Sequence, residues 1–454
     1  MGILTRVFKA WQPMPKTSVF NGWTAMMNAQ NEWFRMYRNK SPWLTQTIKS
    51  LNLAANVSAE VAKMIALEIE SSVSDDAVNE IYQSDVLRGL LEHIEHGLAL
   101  GGVIYKPYIV DNFVRVDIVL PLNYQVLQST TAGIITDIVF RDYVERMGEW
   151  YVRIERHTYN DMTKEYRIEN RAFQSDLSGT VGDTEIELEY VDEWRGILPE
   201  LELKDIEQPL FGHFKPAIAN HIDLDSTEGV SIFSRAVELI EVADKQLSST
   251  LREFRVKEAK QYVSSLAVRN PAEPLPHLQD DFYIKLNMST GKGGAEDFFE
   301  SYSPEIHVDA YITGLNEYKR LIEDCLGLAH GTISPPQAVT RTATEVRTSK
   351  HRTYELVTLN QKNVRSLLEG VVYALAVWVH YPAIPPEMDF FIEFDDSLLV
   401  DQAEELRLMK EDVAAGLLRP EIYVAKRYGV TEEIALTMMP SIQWMSGDNQ
   451  SGAL

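Results

Sequence analysis

The hydrophobic period of this chain changes twice, and each change limits what the flanking segments can become. Residues 1 to about 100 carry apolar side chains at helical spacing. "SAEVAKMIALEIESS" opens on Ser58 and places Val61, Ile65 and Glu68 along one predicted helix, with Glu60 in its acidic first turn. "SDVLRGLLEHIEHGLALGG" sets Val86, Leu90 and Ile94 on one stripe and stops at Gly101-Gly102. From 103 to about 210 the period falls to two. "VIYKPYIV", "FVRVDIVL", "IITDIVF", "WYVRIERHTY" and "EYRIENRAF" predict antiparallel strands joined by Asp, Asn and Gly turns, a β-meander of five or more strands. After "NHIDLDSTEGVS" the helical period returns. Blocks of this kind predict an α+β fold.

The last 225 or so residues are predicted to be mostly helical. Phe233, Val237, Ile240, Ala243, Leu247, Leu251 and Phe254 form one apolar stripe. An irregular insert spans 258 to 306, with Pro271, Pro274 and Pro276 and the strand-like pieces "QYVSSLAV" and "DFYIKL". A second helix over 307 to 327 spaces Val308, Tyr311, Leu315, Tyr318, Ile322 and Cys325 by alternating threes and fours, the seam two packed helices share. A break containing Pro335-Pro336 separates it from a long helix running from Thr342 to about His380. "DFFIEFDD" is a strand, and 401 to 440 holds two or three short helices.

The bulk numbers exclude several classes. A chain of 454 residues is expected to hold about two to four domains. Apolar residues at 45% and charged residues at 24% fit a well-packed protein, and no apolar run reaches the roughly 18 to 20 residues of a bilayer span. "MGILTR" carries Arg6 where a myristoylation motif wants Ser or Thr. A single cysteine excludes an intrachain disulfide framework and a Cys-based zinc cluster, so assembly inside a cell is expected. The formal charge of −24 repels nucleic acid on average, so any DNA contact must be local or weak.

Several clusters hold residue types capable of chemistry. Cys325, with Asp324 beside it and His330 five residues on, suggests a nucleophile and base. The cysteine falls on the apolar stripe, where a free thiol acts as a small core hydrophobe. It also sits near a helix C-terminus beside Glu323 and Asp324, whereas a catalytic thiolate wants a helix N-terminus or a cation. His93 and His96 share a helix face at i, i+3 but have no further His cluster, and are read as surface residues. "GKGG" at 291 to 294 lacks the phosphate-loop pattern and reads as a turn. Asp280-Asp281 and Asp395-Asp396 offer acid pairs to a two-metal site that nothing else completes. The expectation is no enzyme, with no catalytic, cofactor-binding or metal site.

One charge feature needs a reason. Arg341, Arg347, Lys350 and Arg352 gather at the start of the long helix, where cations oppose the macrodipole. Salt bridges to acids of a neighbouring element would explain them, and so would transient contact with a polyanion near the preceding loop. From 387 to 412 the balance reverses, with ten acids against Arg407 and Lys410.

This order of elements resembles the portal proteins of tailed bacteriophages, of the kind found in long-tailed phages of Gram-positive hosts. "GLALGGVIYKPYI" is similar to the family's segment entering the wing. "TATEVRTSKHRTYELV" is similar to its long-helix start, and "FFIEFDDSLLVDQAEELRLMKEDVAAGLLRPEIYVAKRYGVTEEIA" to its strand and helical ending. The resemblance implies a helical and β-meander wing (1–230 and 342–400), stem helices at 231–257 and 307–327, and a small α/β clip at 258–306. It further implies a tunnel loop at 328–341 and a short helical crown at 401–454. Phe233, Ile240, Leu247, Leu315, Ile322 and Cys325 would pack the stem.

The tunnel loop would present His330, Thr332, Ser334, Pro335, Pro336, Gln337 and Thr340 to DNA, with Arg341, Arg347, Lys350 and Arg352 as candidate basic contacts. Arg269, Asp280, Asp281, Lys285 and Lys292 would lie on the clip. The implied role is a ring, dodecameric in the virion, at one capsid vertex, assembled in the host cytoplasm. Its implied partners are double-stranded DNA, the large terminase subunit, a head-completion or adaptor protein, and the major capsid and scaffolding proteins; no cofactor and no membrane are implied. The competing readings are a ring-forming capsid adaptor or scaffold that does not conduct DNA, and a metal-dependent nuclease or hydrolase.

Overall fold

A computed structural model of the chain describes residues 21–67, 69–110, 113–175, 184–256, 260–264, 283–286, 299–302, 307–336, 343–383, 388–394, 402–428 and 430–439. It divides into two units, residues 1–392 and 393–454.

In the first unit, helices α1 (Asn21–Tyr37) and α2 (Leu53–Ala66) bury Trp33, Val57, Val61 and Ile65. The helix expected to open on Ser58 begins five residues earlier. Ser58 lies inside it and donates its hydroxyl to the Ala54 carbonyl at 2.9 Å. It also ends sooner, because Ile69–Val73 is a strand, β1. The reason is tertiary: Ser71 Oγ donates to the Phe391 carbonyl at 2.8 Å, from a strand more than three hundred residues away. Asp75 then caps the short helix α3 (Asp76–Ile81), accepting from the Val78 amide at 2.9 Å. After a π turn and a 3-10 turn, α4 (Leu90–Leu100) buries Ile94 and Leu98 and stops at Gly101, φ +96°.

The alternating region forms two sheets instead of one meander. β2 (Val103–Val110) pairs with β3 (Phe113–Val119) on one side and with β10 (Gly212–Phe214) on the other. β4 (Tyr124–Ser129), β5 (Ile135–Arg146), β6 (Glu149–Asn160), β7 (Glu165–Ser175) and β8 (Thr184–Ile186) form the second sheet in that order, and β9 (Glu200–Leu203) also pairs with β7. The division falls at Pro121, in a turn closed by the Asn123 amide on the Leu120 carbonyl at 2.8 Å. Proline breaks a strand ladder, so the chain leaves one sheet there and starts another.

Two antiparallel helices leave this body. Phe233 is fully buried but precedes the helix, ahead of a 3-10 turn at Ser234–Ala236. Along α5 (Val237–Val256) the expected stripe fades outward: Ile240 is buried, Leu247 half-buried, and Leu251 and Phe254 are exposed. Next come the strands β11 (Lys260–Ser264), β12 (Tyr283–Leu286) and β13 (Phe299–Tyr302), with Lys260 opposite Tyr302. That pairing brings the chain back beside its exit, so α6 (Val308–Leu326) returns antiparallel to α5. Gln246 Nε2 donates to the Tyr311 carbonyl at 3.3 Å between them. Segment 41–52 is tied to the same pair by buried Asp244, which accepts from Trp43 Nε1 at 2.9 Å and the Leu51 amide at 2.7 Å.

The long helix α7 (Ala343–His380) is the spine of this unit. Val364, Leu367, Leu368, Val371 and Leu375 keep to helical spacing and are fully buried. At Gly212 of β10 a Cβ would stand 2.2 Å from the Leu367 carbonyl oxygen, so only glycine lets strand and helix approach this closely. Farther along, Ala374 and Val377 join Tyr159, Tyr166, Ile168 and Leu210 in one core cluster. After α7 comes β14 (Phe390–Phe394), the partner of β1.

An ionic network joins β2 of the first sheet to β6 of the second. Glu155 accepts from Lys106 Nζ at 2.7 Å, Arg153 at 3.0 Å and His157 Nε2 at 2.6 Å. Because a carboxylate only accepts, His157 Nε2 carries the proton and Nδ1 accepts from Tyr166 Oη at 2.6 Å. Burial pushes the Glu155 carboxyl up, but Lys106, His157 and Arg153 outweigh it and hold the group well below its usual range. Burial likewise pushes the His157 imidazole down.

In the second unit, α8 (Gln402–Ala414), α9 (Pro420–Tyr428) and α10 (Glu432–Met438) form a small helical group. Pro420 takes the first position of α9, and Thr431 caps α10 by accepting from the Ile434 amide at 3.4 Å. Arg419 spans the two at 3.1 Å from Glu432.

The buried network has two measurable consequences. Lys106→Met removes one of the two cations that face the buried Glu155 carboxylate and leaves Arg153 as the other, at a cost of up to about 3–5 kcal/mol; urea unfolding should show that loss, and pairing the change with Glu155→Leu should recover part of it. The second concerns acid. Glu155 and His157 both bind protons more readily in the unfolded chain, so their contribution is present above their unfolded pKa values and lost as pH falls. The thermal midpoint should hold steady near neutrality and fall as pH drops below the ordinary histidine value of 6.5, then faster below the ordinary carboxylate value of 4.5. A midpoint unchanged from about pH 7 to pH 5 would contradict the neutral state of His157 and of His213, whose imidazole is pushed down to about 4 by burial.

Candidate functional site

The site is the corner where α6 ends, turns and leads toward α7. Gly327, φ +74°, takes the left-handed position that closes α6. The Leu328 amide reaches back to the Glu323 carbonyl at 2.9 Å and the Gly327 amide to the Asp324 carbonyl at 3.3 Å, the paired bonds of a Schellman motif.

The side chain of Glu323 organises the turn beyond this stop. It is fully buried. Its Oε1 accepts from the amides of Gly331 at 3.1 Å, Ile333 at 2.7 Å and Ser334 at 2.8 Å. Its Oε2 accepts from Ser334 Oγ at 2.9 Å and His330 Nδ1 at 3.3 Å. Successive backbone N–H groups converging on one anion form a nest, here filled from within by the chain's own carboxylate. Gly331, φ +97°, supplies the bend. The other side of the turn is tied to α7, since the Ala329 amide donates to Thr353 Oγ1 at 2.7 Å.

The sequence-derived residues distribute unevenly around this corner. His330, Thr332, Ser334, Pro335 and Pro336 belong to it, and Ser334 is buried against Glu323 instead of facing out. Pro335 and Pro336 are exposed. Arg352 donates to Asp324 Oδ1 at 3.0 Å and to the Asp324 carbonyl at 3.1 Å, so its charge is spent on the end of α6. Arg347 and Lys350 lie on α7, but their side chains fall outside the described residues, as do Gln337, Thr340 and Arg341. On the clip, Lys285 lies on β12 opposite Val263, whereas Arg269, Asp280, Asp281 and Lys292 lie outside the described residues.

Of the α5 and α6 packing residues, Ile322 is fully buried and Leu315 half-buried. Cys325 departs from expectation: it is exposed, not part of the core. The buried face of the last turn is Ile322, Glu323 and Leu326, rotated by one residue from the seam drawn through Cys325. The nucleophile reading finds no geometry either. Both ring nitrogens of His330 face carboxylates, Nδ1 at Glu323 and Nε2 3.6 Å from Asp324. His93 Nδ1 meets Tyr105 Oη at 2.9 Å, and His96 stacks edge-on with Tyr37. Among the described residues, no group of three or more His, Cys, Asp or Glu side chains is placed to hold a metal ion, and no helix is long and apolar enough to cross a membrane.

No family model matches the chain, and no curated protein matches it. Among solved structures it is similar to a chain in "Virion of native gene transfer agent (GTA) particle", at 11% identity and TM-score 0.42, covering 95% of this chain and 99% of that one. It is similar also to a chain in "Neck of native GTA particle computed with C12 symmetry", at 12% identity and TM-score 0.41, with the same coverage. At such TM-scores the likeness carries no weight for fold or function, which rest on the chain's own residues.

Sequence reasoning missed Glu323 as the organiser of the loop. The available signal was a glutamate with "GTIS" eight to eleven residues beyond it, a run of small residues able to turn several amides toward one anion. Glu323→Ala leaves those amides without their acceptor, at a cost on the order of 1–3 kcal/mol for each buried unpaired donor. Amide exchange at Gly331, Ile333 and Ser334 should quicken by about ten-fold or more, with exchange in β5 and β6 unchanged.

Proposed function

We propose that this chain is a portal-type subunit, one of a ring that conducts double-stranded DNA through a capsid vertex. The observation that carries the reading is the antiparallel pair α5 and α6, which exposes a set of apolar residues that a lone chain leaves uncovered. Val242, Leu251 and Phe254 on α5, and Ile312, Leu321 and Cys325 on α6, are all exposed. Helices of about this length are marginal by themselves and gain stability from neighbours. Side-by-side copies of the pair would bury these residues around a closed ring.

In this reading α5 and α6 are the stem, β11–β13 belong to the clip on which a terminase large subunit and later a head-completion protein dock, and the Glu323 corner roots the tunnel loop. A formal charge of −24 suits a bore along which DNA slides without being gripped. With Arg352 held by Asp324, any phosphate contact falls to other groups of the loop or of the start of α7. Major capsid and scaffolding proteins would surround the ring in the virion.

Native mass and thiol reactivity test the reading. A 51.7 kDa chain should give a species of about 0.6 MDa, roughly twelve copies, with a central hole in negative-stain images. Cys325 should react freely with a maleimide in the dissociated chain and at least about ten-fold more slowly in the ring. A stable monomer or dimer, or a ring whose thiol stays fully reactive, overturns this assignment of the α5–α6 face. A ring that forms without passing DNA would favour the adaptor reading, and metal-dependent cleavage of DNA the nuclease.

A further inference from the structure

A cleft in the first unit lies away from the Glu323 corner, along the outer edge of β4. β4 is an end strand of its sheet and, among the described residues, pairs only with β5, so one side of its backbone lacks a strand partner there. The cleft beside that edge has a volume of about 690 Å³ and is walled by α1, through Met26, Met27 and Gln30, and by the loop at 223–228. A cleft of this size accommodates several side chains. A free strand edge of this kind invites pairing unless something covers it.

The walls specify the chemistry of the cover. Asp223, Asp225 and Glu228 line the cleft against the single cation Arg141, whose guanidinium donates to Gln125 Oε1 at 2.8 Å. Glu228 sits at the strand edge: its Oε1 accepts from the Val126 amide at 3.4 Å and its Oε2 from Gln30 at 3.1 Å. Burial pushes the Glu228 carboxyl up, a cost that a nearby cation would relieve. Exposed Met27, with Pro121 and Leu122, adds an apolar floor. The occupant should therefore be apolar and basic, with a backbone able to bond along a strand edge.

Residues 1–20 answer that description. They carry Arg6, Lys9 and Lys16 with no acid, interleaved with Ile3, Phe8 and Trp11. They lead directly into α1, and Met26 of the cleft wall lies only about 8 Å along that helix from Asn21. Twenty residues reach several times that distance. We propose that the cleft beside β4 is the docking site for the chain's own residues 1–20, a basic strap that covers the sheet edge. The proposal concerns a single chain and stands or falls independently of the ring.

Zero-length carbodiimide coupling of the intact wild-type protein tests it, because that reagent joins only amines and carboxylates already in contact. Mass spectrometry should find Lys9 or Lys16 joined to Asp223, Asp225 or Glu228, and a mixture of isotopically light and heavy protein should give those links within one chain. Trypsin should cut after Arg6, Lys9 and Lys16 at least about ten-fold faster in the Asp223→Lys/Asp225→Lys variant than in wild type, with the thermal midpoint unchanged. The proposal is overturned if these lysines link elsewhere or not at all, if light–heavy links between chains predominate, or if the variant is cut at the wild-type rate.

Discussion

The approach of α7 to β10 is the constraint on which the larger unit depends. Helix backbone and strand backbone meet there with no side chain between them, because Gly212 leaves room for the Leu367 carbonyl and Gly370 faces the same strand. That contact sets how deeply the helix lies, and the buried ladder from Val364 to Val377 then fills the space on either side. A Cβ at Gly212 would push the spine outward and loosen the cluster it shares with Tyr159, Tyr166 and Leu210. Both sheets and the root of the α5–α6 pair are positioned against this one helix.

Two buried carboxylates serve this body by different means. Glu155 is balanced by full charges, the ammonium of Lys106 and the guanidinium of Arg153, with a neutral imidazole completing its shell. Glu323 is balanced chiefly by dipoles, three backbone amides and a hydroxyl. The first arrangement cross-links strands far apart in sequence. The second shapes a few consecutive residues into one conformation, which makes the loop's root rigid where its sequence, rich in small and polar residues, suggests a slack connector.

Much of the element pattern was legible from periodicity. The alternation of "VIYKPYIV" and "WYVRIERHTY" became β2 and β6, and the seam from Val308 onward became α6. What escaped depends on partners distant in sequence. Nothing local in "IESSV" distinguishes strand from helix until Phe391 arrives beside it. The split of the meander turned on one proline, and β4, with glutamines among its apolar residues, carries too faint an alternation to be noticed. At the candidate site the Gly327 stop and the break before α7 were readable, whereas the burial of Glu323 and the exposure of Cys325 were not. A one-residue rotation of the helix face exchanges those two, and a stripe of spacing three and four does not resolve it.

The pairing of β1 with β14 bears on how the protein is made. Ser71 waits for Phe391, and the amides of Ser74 and Asp389 close the same junction from both sides. A ribosome releasing the chain from its N-terminal side therefore exposes an unpaired strand, and helices without their spine, until some 320 further residues have emerged. Loop closure over such a span is slow compared with local helix formation, so the α5–α6 excursion can pair before the body that anchors it is complete. During that interval nascent copies on neighbouring ribosomes present the same unpaired edges to each other.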